Sequence, residues 1–137
     1  MQLTKKFLAL ATLCAAVSMN AGVANAEMTE AGKKAMQAAG KIMFEQRCES
    51  CHADDPKRKA YGPSLLGVVG RKAGTLEGFD YSDAMKNSGI VWNLNSLRAW
   101  MADNDGFMPG TRMRHVGITD KAEQDFLLAY IESLTTK

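Results

Sequence analysis

The chain has 137 residues, the length of a single domain, and carries 17 basic residues against 15 acidic ones. The net charge is close to zero, and the sequence has no basic stripe with aromatic residues interspersed. Both features argue against nucleic-acid binding. The sequence contains no amphipathic basic helix of the kind that attaches a protein to a membrane surface.

The first 26 residues have the pattern of a cleaved secretory signal peptide, which predicts export to the periplasm. Lys5 and Lys6 form a basic start, residues 7–17 are apolar, and residues 24–26 read Ala-Asn-Ala, an A-x-A cleavage site. The apolar stretch is short for a membrane span, so an uncleaved anchor is the lesser alternative and no stable membrane insertion is expected. Cleavage would remove Cys14 and leave a mature chain of residues 27–137 with 15 basic and 15 acidic residues.

Apolar and small residues at helical spacing predict a helix over residues 30–47. Gly40 lies inside this predicted helix, where glycine lowers helix stability by about 1 kcal/mol relative to alanine. Either the helix is interrupted there, or another backbone passes close to it.

Directly after this helix comes Cys48-Glu49-Ser50-Cys51-His52, the C-x-x-C-H pattern of covalent haem attachment. On one helical turn both sulfurs lie on the same face, where each can add across a haem vinyl group. His52 can then reach the iron beside them. The pattern predicts one haem c per chain, attached covalently.

The same residues admit two other interpretations. A C-x-x-C pair can be a redox dithiol, and Cys48, Cys51, His52 and His115 could in principle bind zinc. A dithiol does not need the histidine, and the sequence lacks the βαβ pattern that would support it. Neighbouring Cys51 and His52 fit poorly around one tetrahedral ion, so haem is favoured.

The middle of the chain predicts short elements separated by loops. A charged loop covers residues 54–61, and Gly62-Pro63 breaks any regular element. A short helix runs over residues 82–88, with Ser82 as its cap and Gly89 after its end. Asn95 is expected to cap the next helix.

Residues 106–111 are expected to be extended or turning, because Pro109-Gly110 cannot continue a helix. The last helix is expected to begin at Asp120, which with Glu123 resembles a capping box. No segment alternates as a β-strand does, so the fold is expected to be all-α. Such short helices make a thin core, which a large buried group such as haem would fill.

His52 would give the iron one axial ligand, and the other position must be filled or left open. Met108 and Met113 are candidates because they flank Pro109-Gly110-Thr111-Arg112 in an irregular stretch that could lie over a flat ring. A methionine sulfur opposite histidine raises the reduction potential and closes the iron to small molecules, which suits electron transfer. An open position would suit ligand binding or peroxide chemistry.

A series of short segments stands in an order that is specific to one family. The segments are Gly40–Phe44, Cys48–His52, Gly62–Leu65, Gly70–Lys72, Gly78–Ala84, Trp92, Pro109–Met113 and Leu127–Tyr130. In this order they resemble a class I c-type cytochrome, of the branch that contains mitochondrial cytochrome c and its periplasmic bacterial relatives. The resemblance implies the small cytochrome c fold, with short helices and loops wrapped around one covalent haem.

The resemblance implies roles for the residues that match. Cys48 and Cys51 match the thioether cysteines, His52 the proximal ligand and Met113 the distal ligand, while Met108 matches an ordinary apolar residue. Gly40, Phe44, Leu127 and Tyr130 match the crossing of the first and last helices. Residues 27–39 form an N-terminal extension with no assigned function.

Five further residues match the surroundings of the haem. Pro63 matches the proline whose carbonyl accepts a hydrogen bond from the ligand imidazole. Arg71, Tyr81 and Trp92 match groups that hold the inner propionate, and Thr111 matches a polar contact on the distal side.

Four departures from the mitochondrial pattern bear on redox tuning and partner choice. Trp100 stands in place of a tyrosine whose hydroxyl reaches the ligand sulfur, and Met85 replaces an asparagine of the same polar network. His115 replaces a phenylalanine beside the haem edge. Asp105-Gly106 replaces two lysines that the mitochondrial proteins present to their partners.

The resemblance implies a soluble, monomeric carrier that moves one electron at a time and catalyses no reaction. Its partners would be redox proteins such as a terminal oxidase, a reaction centre, a cytochrome bc1-type complex or a periplasmic dehydrogenase. The alternative is a haem enzyme or gas sensor in which Met113 exchanges for a ligand, because Trp100 and Met85 would remove a polar network.

Docking to such partners is expected to depend little on charge. Arg47, Arg112, Arg114 and Lys59 could form a weak positive patch, and Phe107 with Met108 could offer an apolar rim.

Overall fold

The computed structural model describes residues 28–53 and 60–134. The expected signal peptide, Lys59 and most of the charged loop at residues 54–61 lie outside them. The helices are α1 (Glu30–Arg47), α2 (Asp83–Asn87), α3 (Leu94–Ala102), α4 (Asn104–Phe107) and α5 (Lys121–Ser133). The described residues form no strand, only an isolated antiparallel bridge between Lys72 and Val91. None of their helices is long and apolar enough to cross a membrane.

The crossing of α1 and α5 forms the centre of the core. Phe44 on α1 and Leu127 on α5 are 1% and 0% exposed, and the Phe44 ring meets Tyr130 edge to face at 5.2 Å. A β-carbon added to Gly40 would overlap the carbonyl oxygen of Phe126 and lie 2.8 Å from Cβ of Tyr130. The helix is therefore continuous through Gly40, and the absence of a side chain lets the backbones cross.

The expected ends of most helices are confirmed. Ser82 accepts a hydrogen bond from the Met85 amide at the start of α2, and Asp120 accepts one from the Glu123 amide at the start of α5. Between them, Gly89 has a φ of 69°, in the left-handed region that favours glycine.

Two expectations for the segment between them are wrong. Asn93, not Asn95, caps α3: its side chain accepts from the Ser96 amide, and the Ser96 hydroxyl accepts from the Asn93 amide. This reciprocal pair satisfies two amides at once, which places Asn95 inside the helix. Gly106 is helical rather than extended, because Asp103 caps the short helix α4 by accepting from the Gly106 amide.

A segment without helix or strand, residues 109–120, passes from α4 to α5 and is fastened to α3. The Ile118 amide donates to the carbonyl of Met101 at 2.8 Å. The amide of buried Gln124 donates to the Ile118 carbonyl at 2.6 Å, and its oxygen accepts from Arg98. These bonds fix the segment that carries Met113 against the helical core.

Candidate haem-binding site

A cavity of about 630 Å³ opens between the end of α1, α3 and the segment over residues 109–120. This volume is within the range of about 300–1,000 Å³ typical of cofactor sites. All nine residues expected to hold haem line it: Cys48, Cys51, His52, Pro63, Arg71, Tyr81, Trp92, Thr111 and Met113. The fold thus brings together residues that lie as far apart in sequence as 48 and 113.

The two cysteines and His52 sit on one turn at the C-terminal end of α1. The amides of Cys51 and His52 both donate to the carbonyl of Cys48, at 3.0 and 2.8 Å. Both thiols are free and partly exposed. Burial raises the pKa of the Cys48 thiol to about 11, a rise that nearby Arg47 partly offsets, so this sulfur is a neutral thiol rather than a thiolate.

Zinc binding finds no support in this arrangement. No group of three or more His, Cys, Asp or Glu side chains in residues 28–53 and 60–134 is placed to hold a metal ion. His115 lines the same cavity as Cys48, Cys51 and His52, but the four do not converge on one point.

The His52 imidazole is oriented by the backbone around Pro63. Nδ1 lies 2.8 Å from the carbonyl oxygen of Pro63, and since a carbonyl only accepts, the proton is on Nδ1 and the lone pair on Nε2. Burial lowers the pKa of His52, although the bond to Pro63 opposes this shift. The result is a neutral imidazole with a free Nε2, the form that binds a metal.

Gly62 has a role at this ring that sequence reasoning missed. A β-carbon on Gly62 would lie 2.7 Å from Cε1 of His52, and the Gly62 amide donates to the carbonyl of Cys51 at 2.7 Å. A side chain here would push the imidazole aside. The sequence offered only a weak signal, a glycine before Pro63, which also reads as a simple chain break.

Arg71 places a positive charge on the cavity wall. Its guanidinium donates to the carbonyls of Leu66 and Ser64, at 3.0 and 2.9 Å, and it pairs with no carboxylate among the described residues. Burial raises the pKa of Tyr81, and the nearby charge of Arg71 partly offsets this rise. An unneutralised guanidinium in a largely apolar cavity suits an anionic group such as a haem propionate.

Trp92 forms the wall beside this charge. Its ring is buried and meets the ring of Trp100 edge to face at 5.3 Å and stacks with Phe107 at 6.3 Å. The bridge at Lys72 and Val91 fixes its backbone, because the Trp92 amide donates to the Arg71 carbonyl at 3.0 Å.

The Met113 side chain reaches the cavity with its sulfur already engaged. The indole N–H of Trp100 donates to Sδ of Met113 at 3.1 Å. The expectation that Trp100 removes a hydrogen bond to this sulfur is therefore wrong, because the indole supplies a donor of its own. Met85 is buried and offers no such donor, so the network is changed rather than lost.

The Met113 backbone is held by two further groups. Buried Asn104 donates its side-chain amide to the Met113 carbonyl at 2.7 Å, and the Thr111 hydroxyl accepts from the Met113 amide at 3.4 Å. Sequence reasoning missed Asn104, because no pattern distinguishes a buried asparagine from an exposed one. Met108 is only 6% exposed and does not line the cavity, so it cannot form part of an apolar rim.

The mouth of the cavity is apolar, with paired charges around it. Tyr61 and Val116 line the cavity and are 83% and 81% exposed. They take the place of the expected Phe107, which packs between Trp92 and Trp100.

Each arginine near the mouth has a carboxylate partner. The pairs are Arg47 with Glu123 at 2.9 Å, Arg112 with Asp80 at 3.2 Å and Arg114 with Asp105 at 2.7 Å. Exposed pairs of this kind contribute little stability. Because each arginine charge is paired with a carboxylate, the mouth of the cavity carries little net charge.

The donor set fits haem c. Two free thiols at the spacing of the attachment motif adjoin a neutral imidazole with a free Nε2. A thioether and a guanidinium that has no carboxylate partner among the described residues line the same apolar cavity. Together with a small fold of short helices, this site defines a class I c-type cytochrome.

Comparison with known proteins leads to the same family. The family model Cytochrome c matches residues 37–135. Cytochrome c type-1 of Ascaris suum is 43% identical over 94 residues, which cover 69% of this chain and 84% of that protein. Cytochrome c2 of Rhodoplanes tepidamans is 44% identical over 94 residues, 68% of this chain and 87% of its own length. The solved structure of cytochrome cH from Methylobacterium extorquens aligns with a TM-score of 0.65 and 40% identity, covering 71% of this chain and 97% of that one.

The chain belongs to the cytochrome c family. It is an electron carrier with covalently bound haem c, not an enzyme, and its partners are redox proteins.

Proposed function

We propose that the chain is a periplasmic one-electron carrier, exported by cleavage after residue 26 and active as a monomer. The observation that carries this proposal is the placement of Met113 and His52 around one cavity, with the sulfur held by Trp100 and the imidazole by Pro63. When bound, haem supplies a single iron that cycles between its ferrous and ferric states.

The residues of the site have three roles: attaching the haem, ligating its iron and orienting the ligands. Cys48 and Cys51 would hold the haem through thioether bonds, and His52 and Met113 would ligate its iron. The carbonyl of Pro63 fixes the proton on Nδ1 of His52, which leaves Nε2 free and prevents the ring from turning. Gly62 leaves room for that ring.

Anion binding and the exclusion of water fall to the remaining residues. Arg71 offers its guanidinium to a propionate, with Tyr81 and Trp92 beside it, and Thr111 is a polar contact near Met113. The rings of Trp92, Trp100 and Phe107 close one wall against water. A sulfur held by an indole N–H and a backbone held by Asn104 favour a closed distal position, which supports an electron carrier rather than a gas sensor.

The proposed partners are membrane or periplasmic redox proteins. A cytochrome bc1-type complex is a candidate donor, and a terminal oxidase, a reaction centre or a periplasmic dehydrogenase are further candidates. The apolar mouth with Tyr61 and Val116 suits a brief contact that buries little surface.

The test is expression in a host that matures c-type cytochromes, followed by fractionation. We expect a red protein in the periplasmic fraction whose mass equals residues 27–137 plus one haem, and whose colour stays with the protein in acid acetone. Spectroelectrochemistry should show one reversible one-electron wave. Free haem in the organic layer, or a mass that retains residues 1–26, would contradict the proposal. The matched control is Cys48→Ser with Cys51→Ser, which should release haem into the organic layer.

A further inference from the structure

One buried polar atom of a residue that lines the cavity has no partner among the described residues. Nε2 of His115 is the only buried side-chain nitrogen or oxygen without a hydrogen-bond partner in residues 28–53 and 60–134. Leaving such an atom unpaired is energetically unfavourable. The cost would be removed by a group that occupies the cavity and accepts a lone pair.

The tautomer of His115 makes that lone pair available. Nδ1 lies 2.8 Å from the carbonyl oxygen of Val116, so Nδ1 carries a proton and, in the neutral imidazole, Nε2 carries the lone pair. His52 has the same arrangement, with Nδ1 at 2.8 Å from the Pro63 carbonyl. Both imidazoles are thus held by a backbone carbonyl in the tautomer that binds a metal through Nε2.

The two histidines and Met113 also share one cavity. His115 lies two residues after Met113, in the segment without helix or strand, and both residues line the same space as His52. The segment is fastened on both sides of His115, at Met113 by Trp100 and Asn104 and at Ile118 by the carbonyl of Met101.

We propose that His115 is a second distal ligand, whose Nε2 binds the ferric haem iron whenever Sδ of Met113 is absent from it. This inference rests on the proposed assignment of Met113. The exchange breaks one Fe–S bond and forms one Fe–N bond, and with the neutral imidazole no electron or proton moves. The iron therefore keeps six ligands and stays closed to small molecules.

The chemistry of the two ligands favours such an exchange in the ferric state. A thioether is a soft ligand and, opposite histidine, raises the reduction potential. Imidazole is a better match for the oxidised iron. Trp100 and Asn104 hold Met113 in place, which is why His115 is the second ligand and not the first.

The test compares four ferric proteins: the natural chain, Met113→Ala, His115→Phe, and the double variant. Met113→Ala should lose the red-region sulfur-to-iron charge-transfer band, yet remain low-spin with the electron paramagnetic resonance spectrum of two imidazole ligands. The double variant should become high-spin, because phenylalanine has a similar ring and no lone pair. His115→Phe alone should keep the charge-transfer band, which shows that the substitution leaves the fold and the sulfur in place.

Titration with imidazole measures how fully His115 fills the position. If His115 binds the iron in nine of ten Met113→Ala molecules, only one in ten is open to imidazole. The apparent dissociation constant for imidazole is then about tenfold higher than in the double variant. Saturating imidazole should return the double variant to a low-spin spectrum, which shows that its haem pocket is folded.

The outcomes separate this inference from the proposed function. A Met113→Ala protein that keeps the charge-transfer band overturns the assignment of Met113. One that loses the band but is high-spin, with the same imidazole affinity as the double variant, overturns only the role of His115. A low-spin double variant also overturns it, because another side chain is then the ligand.

Discussion

The indole N–H of Trp100 donates a hydrogen bond to the sulfur of Met113, with 3.1 Å between Nε1 and Sδ. A thioether is a weak acceptor. Here the donor is rigid, because the Trp100 ring is packed edge to face against both Trp92 and Phe107. The contact draws electron density from the sulfur and so bears on the redox properties of the iron that this sulfur is proposed to bind.

The first prediction follows from this contact. Trp100→Phe should lower the reduction potential, because a sulfur without the hydrogen bond donates more strongly and stabilises the ferric state. A neutral hydrogen bond is worth about 0.5–1.5 kcal/mol, so the shift is at most about 20–60 mV for one electron. Spectroelectrochemistry at fixed pH measures it.

The control for Trp100 is Trp100→Tyr, which keeps an aromatic ring and can offer a hydroxyl. It should shift the potential less than Trp100→Phe does. A potential that is unchanged or higher in Trp100→Phe would mean that the indole only fills space.

The second prediction separates two methionines of the same stretch. Met113→Ala should abolish the charge-transfer band and lower the potential, because the sulfur is lost. Met108→Ala should keep the band and cost about 2–5 kcal/mol of stability, since Met108 is buried in the core and does not line the cavity. Visible spectra and guanidinium unfolding measure the two effects, and the reverse pattern would show that the distal ligand is misassigned.

The third prediction concerns the helix crossing. Gly40→Ala adds a β-carbon that overlaps the Phe126 carbonyl, and overpacking of this kind costs about 1–3 kcal/mol. The cost exceeds the helix propensity that alanine gains, about 1 kcal/mol. Thermal unfolding of the haem-loaded protein should therefore show a lower midpoint.

Gly32 provides the matched control on the same helix. A β-carbon there meets side-chain atoms and no backbone: Cγ of the flexible Met28 side chain at 3.0 Å and Oγ1 of Thr29 at 3.4 Å. Gly32→Ala should be neutral or stabilising. Equal losses from the two substitutions would mean that backbone contact at Gly40 is not the cause.

The fourth prediction concerns charge at the mouth of the cavity. Because Arg47, Arg112 and Arg114 are each paired with a carboxylate, the rate of oxidation by anionic hexacyanoferrate(III) should depend only weakly on ionic strength. The ionic strength should be raised from low values to well above 0.1 M. At 0.1 M the Debye length is already only about 10 Å. A rate that falls by orders of magnitude would reveal a strongly charged site.

Asp105→Asn tests the pairing directly. It leaves Arg114 without its carboxylate and should make the salt dependence steeper. The control is Glu132→Gln, which changes the net charge equally at an exposed position on α5 that does not line the cavity. If both variants change the slope equally, net charge and not the local pair is responsible.

The sequence alone determined the features whose physics is local. The C-x-x-C-H motif spans five residues on one turn, so its chemistry could be read without the fold. The caps at Ser82 and Asp120 are satisfied by amides three residues away, and the helical stripe of α5 follows from its spacing. Even Gly40 could be interpreted, because a glycine inside a predicted helix implies either an interrupted helix or another backbone close by.

Only the tertiary structure decided the contacts between residues far apart in the chain. The spacing of Trp100 places it on the buried face of α3, but the direction of its indole depends on packing against Trp92 and Phe107. The same holds for Gly62 against His52, Asn104 against Met113, and the carboxylate that each arginine near the mouth meets. Periodicity specifies which face of an element is buried. Which atoms meet across that face depends on rotamers and backbone paths that become definite only when the whole chain has packed.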